Sequence, residues 1–379
     1  MRLALTKSLR VLFIYILILF FSFGALLFYW SFRRNKSNVN PKLNLKLWTA
    51  VSDGLHNSNT DMTFWNGKFY LIHAASPFHF GTEVCRLVLR RSVDAKNWET
   101  VKEFQIKNED IRDPKFGIIN NKLILYVLKN IGFDPEPYAT VLTYSETGED
   151  WSDWKELKEH EGWLFWRPKT HDEKTWYLPA YWWEHGISIL LRSTDGIQWE
   201  NIGIIYEGLK NDETAIEFLP DGRMICTARL EGTGNYFGDL TGCTLISVSN
   251  KPYTNWKQAK SYVTRLDGPV LFSYNNKIYA VGRYQPKIGF LTKHGSILSR
   301  KRTSIFLVEE DKLIWLSDLP SAGDTSYGGI VIKDNHLYVC YYTNDIKKDF
   351  PWVLGMISKS DIMMAKIDLT GLKKITPNH

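Results

Sequence analysis

The chain has 379 residues, 44% of them hydrophobic and 14% aromatic, with a formal net charge of +6. That apolar content suits a large buried core and sets aside a disordered chain, and four scattered cysteines set aside a disulfide scaffold. Eight of the 47 basic residues and none of the 41 acidic ones precede Thr49, so the rest carries 39 basic against 41 acidic residues and offers no general electrostatic case for nucleic acid.

Residues 1–10 form a short basic flank. From Val11 to Phe32 the chain runs 22 residues without a charge, enough at about 1.5 Å per helical residue to cross a hydrocarbon core of about 30 Å. Arg33 and Arg34 stop the run. A single transmembrane helix is therefore expected at 11–32. Arg2, Lys7 and Arg10 precede it while Arg33, Arg34, Lys36 and Lys42 follow, so flanking charge nearly balances and does not orient it. Residues 33–46 read as a polar linker bearing Asn and Lys.

From residue 47 to 379 one pattern repeats. A polar start leads into a short apolar strand, a turn of Asn-Gly, Asn-Asn, Asp-Gly or Asp-Asn type, and an aromatic-rich strand. The six starts are Asp61, Asp113, Arg167, Glu213, Asp267 and Tyr327, spaced by 52, 54, 46, 54 and 60 residues. That spacing holds four strands per unit and predicts an all-β, six-bladed β-propeller. In a propeller the innermost strands line a central channel, so these six positions are expected to crowd its mouth and form a ligand site.

A second element recurs. SVDAKNW ends at Trp98 and STDGIQW at Trp199, with looser copies ending at Trp151 and Trp256. The turn carboxylate can accept backbone N–H bonds while the tryptophan anchors the turn in the core, so these are expected to be structural. Trp163, Trp166, Trp176, Trp182 and Trp183 gather around the third unit, where rings could face a sugar or fill the core. His79, His160 and His185 show no specific metal spacing and no glycine-rich nucleotide motif accompanies them, so no cofactor or metal is expected. Cys226 and Cys243 could share a blade and pair, but independent buried thiols are the simpler expectation.

The Asp94 and Asp195 turns resemble the Asp-box repeats of the sialidase superfamily. The segment NDETAIEFLPDGRMICTAR, with Arg229 sixteen residues after Glu213, is similar to the sialidase segment joining a glutamate to an arginine of the substrate-carboxylate cluster. The resemblance implies Tyr327 as nucleophile, Glu213 as its base, and Arg229, Arg283 and Arg167 as carboxylate-binding groups. Asn59-Thr60-Asp61 stands where that family has Arg-Ile-Pro, and no loop aspartate follows before Asp94. Proton transfer is then left to Asp61 or Asp113, or activity is lost.

Asp61, the Arg112-Asp113-Pro114 run and Glu213 also resemble the three-carboxylate set of furanosidase-like hydrolases. That resemblance makes Asp61 nucleophile or base, Glu213 acid, and Asp113 a sugar-binding group. The expected function is an exo-acting glycoside hydrolase on terminal sugars of glycans, with Asp61, Asp113, Glu213 and Tyr327 catalytic and Arg112, Arg167, Arg229, Asp267 and Arg283 binding substrate. The alternative is a noncatalytic glycan-binding or envelope-assembly propeller. Either fits a domain outside the membrane, which favours an extracytoplasmic propeller.

Overall fold

The structure, a computed structural model, describes residues 2–32, 36–131 and 137–377. Its recurring unit is a tight hairpin set by turn chemistry. Asn66-Gly67, Asn120-Asn121, Asn275-Asn276 and Asp334-Asn335 all have positive φ at both positions, and the flanking residues pair directly, as in Trp65 with Lys68 and Tyr274 with Lys277. Two successive positive-φ residues give a turn whose twist matches that of the strands.

Each hairpin supplies the two innermost strands of an antiparallel sheet, and there are six sheets. The inner strands are His56–Trp65, Glu109–Ile119, Asn211–Phe218, Asp267–Tyr274 and Thr325–Lys333, with the third blade's inner edge divided into Trp163–Phe165 and Lys169–Thr170. Pro168, which has no N–H to donate, stands in that interruption. The sixth blade takes its outer strand from the other end of the chain. Lys46–Val51 pairs with Asp361–Asp368 and closes the ring.

The turn tryptophans anchor the blades as the sequence predicts. Asp195 Oδ1 accepts from the backbone N of Ile197 and Gln198, both at 2.8 Å, and Trp199 is buried. Asp94 repeats the pattern with Lys96 and Asn97 at 2.8 and 2.9 Å. These turns follow the third strand of each blade, at the end opposite the starts of the inner strands.

The channel is filled beyond its mouth. Trp166 is 1% exposed, donates from Nε1 to Pro269 O at 2.9 Å, and carries the buried Lys115 ammonium 4.1 Å from its ring centroid. All four cysteines are buried free thiols. Cys226 lies opposite Ser247 and Cys243 opposite Leu230, so the two sulfurs sit at different levels of adjoining strands.

At the N-terminus a helix runs Arg2–Phe32, and its Ser8–Leu26 stretch is long and apolar enough to cross a membrane. Phe20, Phe21 and Leu19 on it are exposed, so the propeller does not cover them. Arg33 and Arg34 lie outside the described residues. The segment after them is docked. Asn38 N donates to Asp318 Oδ2 at 2.7 Å, Asn40 N donates to Ser317 Oγ at 3.0 Å, and Leu43 is fully buried.

Candidate active site

Five inner strands share one irregularity near their start. Pairing breaks between Ser58 and Asp61, Arg112 and Lys115, Asp212 and Ala215, Asp267 and Val270, and Ser326 and Gly329. Each is a bulge, and its first extra residue has positive φ: Asn59 (48°), Asp113 (48°), Glu213 (33°), Gly268 (62°) and Tyr327 (46°). A bulge bends the strand and re-aims a side chain. Only glycine adopts such backbone freely, so four non-glycine residues there are strained, a feature that clusters at functional sites.

The bulges correct the expected alignment. Asp113, Glu213 and Tyr327 are true equivalents, but the matching residue in the first blade is Asn59, not Asp61, and in the fifth it is Gly268, not Asp267. Asp61 lies two residues deeper and is 2% exposed. Its Oδ2 accepts from Phe116 N at 2.8 Å and its Oδ1 from Arg167 Nε at 3.1 Å. Arg167 also donates to Pro269 O at 3.1 Å and Gly328 O at 2.9 Å. Asp61 and Arg167 thus tie five blades together beneath the mouth and do not line it.

Above them opens a cavity of about 340 Å³ whose wall includes Asp113, Glu213, Tyr327, Arg112, Arg229 and Arg283. The Tyr327 hydroxyl donates to Glu213 Oε1. Arg229 Nη1 lies 3.0 Å from the same oxygen, and Glu213 Oε2 accepts from Gly268 N at 2.6 Å. Burial pushes the Glu213 carboxyl up against the opposing pull of Arg229, and with Asp212 and Asp267 nearby its pKa rises to about 7. Burial and the adjoining Glu213 charge raise the Tyr327 phenol as well.

Every arginine on the wall is held by a carboxylate. Arg112 Nε donates to Asp110 Oδ1 at 2.5 Å, and Arg229 makes a two-pronged pair with Asp212, its Nε bond measuring 2.7 Å. Arg265, which also lines the cavity, reaches Asp267 at 3.1 and 3.2 Å. Arg283 Nη2 reaches Asp324 Oδ1 at 3.0 Å, and its guanidinium lies 5.0 Å from the Tyr327 ring centroid. Such pairing fixes the guanidinium planes. Asp267 is therefore a support for Arg265 and Arg283 and not part of the wall. Burial raises its carboxyl, but Arg265, Arg229 and Arg283 overcome this and hold it well below the usual range.

Asp113 stays at the wall, its Oδ1 accepting from Asn59 Nδ2 at 2.6 Å with Lys115 Nζ at 3.5 Å. Burial lowers the Lys115 pKa to about 8 against the pull of Asp113. The tryptophans of the third blade contribute to packing, with Trp163 against Trp182 at 5.3 Å. The aromatic wall consists instead of Phe80, Tyr181, Tyr236, Tyr327 and Trp352.

Several wall residues escaped sequence reasoning. His79, His185, Glu231, Arg265 and Trp352 stand outside the repeated strand starts, in or beside the connections that overhang the mouth. His185 Nδ1 lies 3.3 Å from both Asp212 Oδ2 and Glu231 Oε2, and His79 Nδ1 lies 2.7 Å from Asp324 Oδ2, which His56 Nε2 approaches to 3.2 Å. Each trio groups three atoms that could ligate a metal ion. Yet Arg229 contacts Asp212 and Glu231, and Arg283 contacts Asp324. A fixed guanidinium in direct contact repels a divalent cation, so both trios are better satisfied as ion pairs and hydrogen bonds.

No family model and no curated protein matches the chain. Solved structures do. A protein of unknown function from Dyadobacter fermentans aligns with TM-score 0.60 at 13% identity, covering 85% of this chain and 99% of that one. The phage phi92 endosialidase aligns with TM-score 0.64 at 11% identity over 89% of this chain and 70% of its own. Trypanosoma rangeli sialidase in complex with the inhibitor DANA aligns with TM-score 0.61 at 15% identity, covering 85% of this chain but only 56% of the sialidase. At these identities the likeness is one of fold: a six-bladed propeller of the kind found in sialidases.

Proposed function

We propose that the protein is an exo-acting glycoside hydrolase that takes a terminal, carboxylate-bearing sugar, with its propeller held at the extracytoplasmic face of a membrane by the N-terminal helix. The observation that carries this reading is the Tyr327 hydroxyl donating to the Glu213 carboxylate on the wall of a sugar-sized cavity. A neutral phenol is a weak nucleophile. A carboxylate in contact with its proton lets attack on the anomeric carbon proceed without a free phenolate, and a tyrosine opposite an oxocarbenium-like centre suits an anionic sugar.

Arg112, Arg229 and Arg283 are the carboxylate-binding candidates on the wall, while Asp113, steadied by Asn59, is placed to read a hydroxyl. The three-carboxylate arrangement is less well supported, because Asp61 is engaged with Arg167 and Phe116 away from the cavity. A noncatalytic glycan-binding reading has one observation in its favour: Arg229 already meets Asp212, Glu213 and Glu231.

The test is a screen of terminal-sugar chromogenic substrates, including sialosides and neutral furanosides, with Tyr327→Phe as control. Release from an anionic sugar that Tyr327→Phe abolishes without loss of binding is the expected result. Binding without any release favours the noncatalytic reading, and release from neutral furanosides alone overturns the anionic specificity.

A further inference from the structure

A retaining hydrolysis also needs a group that protonates the departing glycosidic oxygen and later takes a proton from water. Neither carboxylate suggested by the sequence suits this role. Asp61 is paired beneath the mouth, and Asp113 is held by Asn59 and Lys115. The connection between Lys68–Ser76 and Arg86–Ser92 brings a different group to the cavity: His79, its backbone N donating to Met356 O at 2.8 Å and its side chain on the wall.

His79 Nδ1 lies 2.7 Å from Asp324 Oδ2. Asp324 is fully buried, and its Oδ1 accepts from Arg283 Nη2 at 3.0 Å, Tyr342 Oη at 3.0 Å and Trp352 Nε1 at 2.8 Å. A carboxylate fixed by so many donors stays ionised. Burial raises it, but His79, His56 and Arg283 hold it well below the usual range. Its Oδ2 stands within ion-pair distance of His79 Nδ1, outside hydrogen-bond alignment, and its charge favours a proton on that nitrogen and steadies the imidazolium when that forms. His79 Nε2 has no hydrogen-bond partner among the described residues, although the side chain is still 21% exposed on the cavity wall. The same contacts run from His79 through Asp324 and Arg283 to the Tyr327 ring and Glu213.

We infer that His79, positioned by Asp324, is the general acid/base of this site; the assignment rests on the proposed Tyr327–Glu213 hydrolysis. In the first step Tyr327 Oη bonds to the anomeric carbon and yields its proton to Glu213. The glycosidic C–O bond breaks with its electron pair on the leaving oxygen, which takes the Nε2 proton of the His79 imidazolium and leaves the ring neutral with its remaining proton on Nδ1. In the second step His79 Nε2 accepts a proton from water as that water attacks, and the tyrosyl oxygen leaves and regains its proton from Glu213. The groups facing the imidazole are Asp324, His56 and Arg112.

The test compares His79→Ala and His79→Gln in the full chain on one terminal sugar carrying either an alkyl or a dinitrophenyl leaving group. Acid catalysis matters for the first and little for the second. Expected is a fall of about 10²- to 10⁴-fold in kcat/KM on the alkyl glycoside, a much smaller fall on the dinitrophenyl one, and azide restoring turnover with a glycosyl azide as product. Tyr327→Phe should lose both substrates alike. An equal fall on both in the His79 variants, without azide rescue, overturns the His79 assignment and leaves the hydrolase reading standing. No release by the unaltered protein from any substrate overturns both. Nitrogen NMR of the His79 ring is a readout independent of turnover: the neutral form should carry its proton on Nδ1, and a proton on Nε2 overturns the assignment.

Discussion

Glu213→Gln preserves shape and removes one charge, and its cost can be worked from the contacts. Glu213 Oε1 meets the Tyr327 hydroxyl and Arg229 Nη1, while Oε2 accepts from Gly268 N at 2.6 Å. A carboxamide satisfies only one side. With its oxygen towards Tyr327, its NH₂ faces the Gly268 N–H, donor against donor, at a cost of about 1–3 kcal/mol. Because the folded-state pKa is raised from 4.5 to about 7, the stability that wild-type Glu213 contributes is full below pH 4.5 and is lost as pH rises through about 7. The variant, which cannot titrate, should therefore be clearly less stable than wild type at about pH 5 and close to it at about pH 8. Urea denaturation at both values measures this. Turnover should fall by about 10²- to 10⁴-fold, the usual contribution of a general base, and the acid limb of the pH profile should vanish. Unchanged turnover together with a pH-independent stability difference would refute both the base role and the electrostatic argument.

Asp195→Ala removes the acceptor of two backbone N–H groups and of the Ser193 hydroxyl in a turn that seats Trp199 in the core, so it should cost about 1–2 kcal/mol. Its turn lies at the far end of the blade, so kcat/KM of the folded protein should not change, and a denaturation curve beside an activity assay separates the two. A fragment beginning at Lys36 should be more stable than one beginning at Leu47. The longer one keeps the buried Leu43, worth about 1.5–3 kcal/mol, and the Asn38–Asp318 bond; equal urea midpoints would show that the docked segment contributes nothing.

The fold was legible because hairpin turns advertise themselves. Asn66-Gly67 and Asn275-Asn276 force positive φ, and the Asp94 and Asp195 turns repeat a local hydrogen-bond pattern that needs no distant partner. Register was harder. A bulge inserts residues without altering composition, so Asp61 was expected where Asn59 stands, and Asp267 where Gly268 stands. Glu213, Arg229, Tyr327 and Asp113 could be picked from the strands because hairpin geometry returns them to one mouth. His79, Glu231 and Arg265 could not, since they belong to connections of unequal length, and the role of Asp324 depends on neighbours drawn from three separate stretches of chain. Nothing in the local sequence of His79 foretells a partner 245 positions away.

The docked segment has a mechanical consequence. The helix ends at Phe32, and Ser37 already bonds to Ser321 O on the propeller. Four residues between them, even fully extended, reach no farther than about 18 Å. With the helix in a bilayer, the leash is too short for the cavity to sweep through the surrounding medium. For a glycan-binding cavity held in that way, glycans borne on the same surface would be met far more often than glycans in solution. The first strand after the leash also closes the ring through Asp361–Asp368, so a pull on the anchor is taken up along a row of backbone hydrogen bonds.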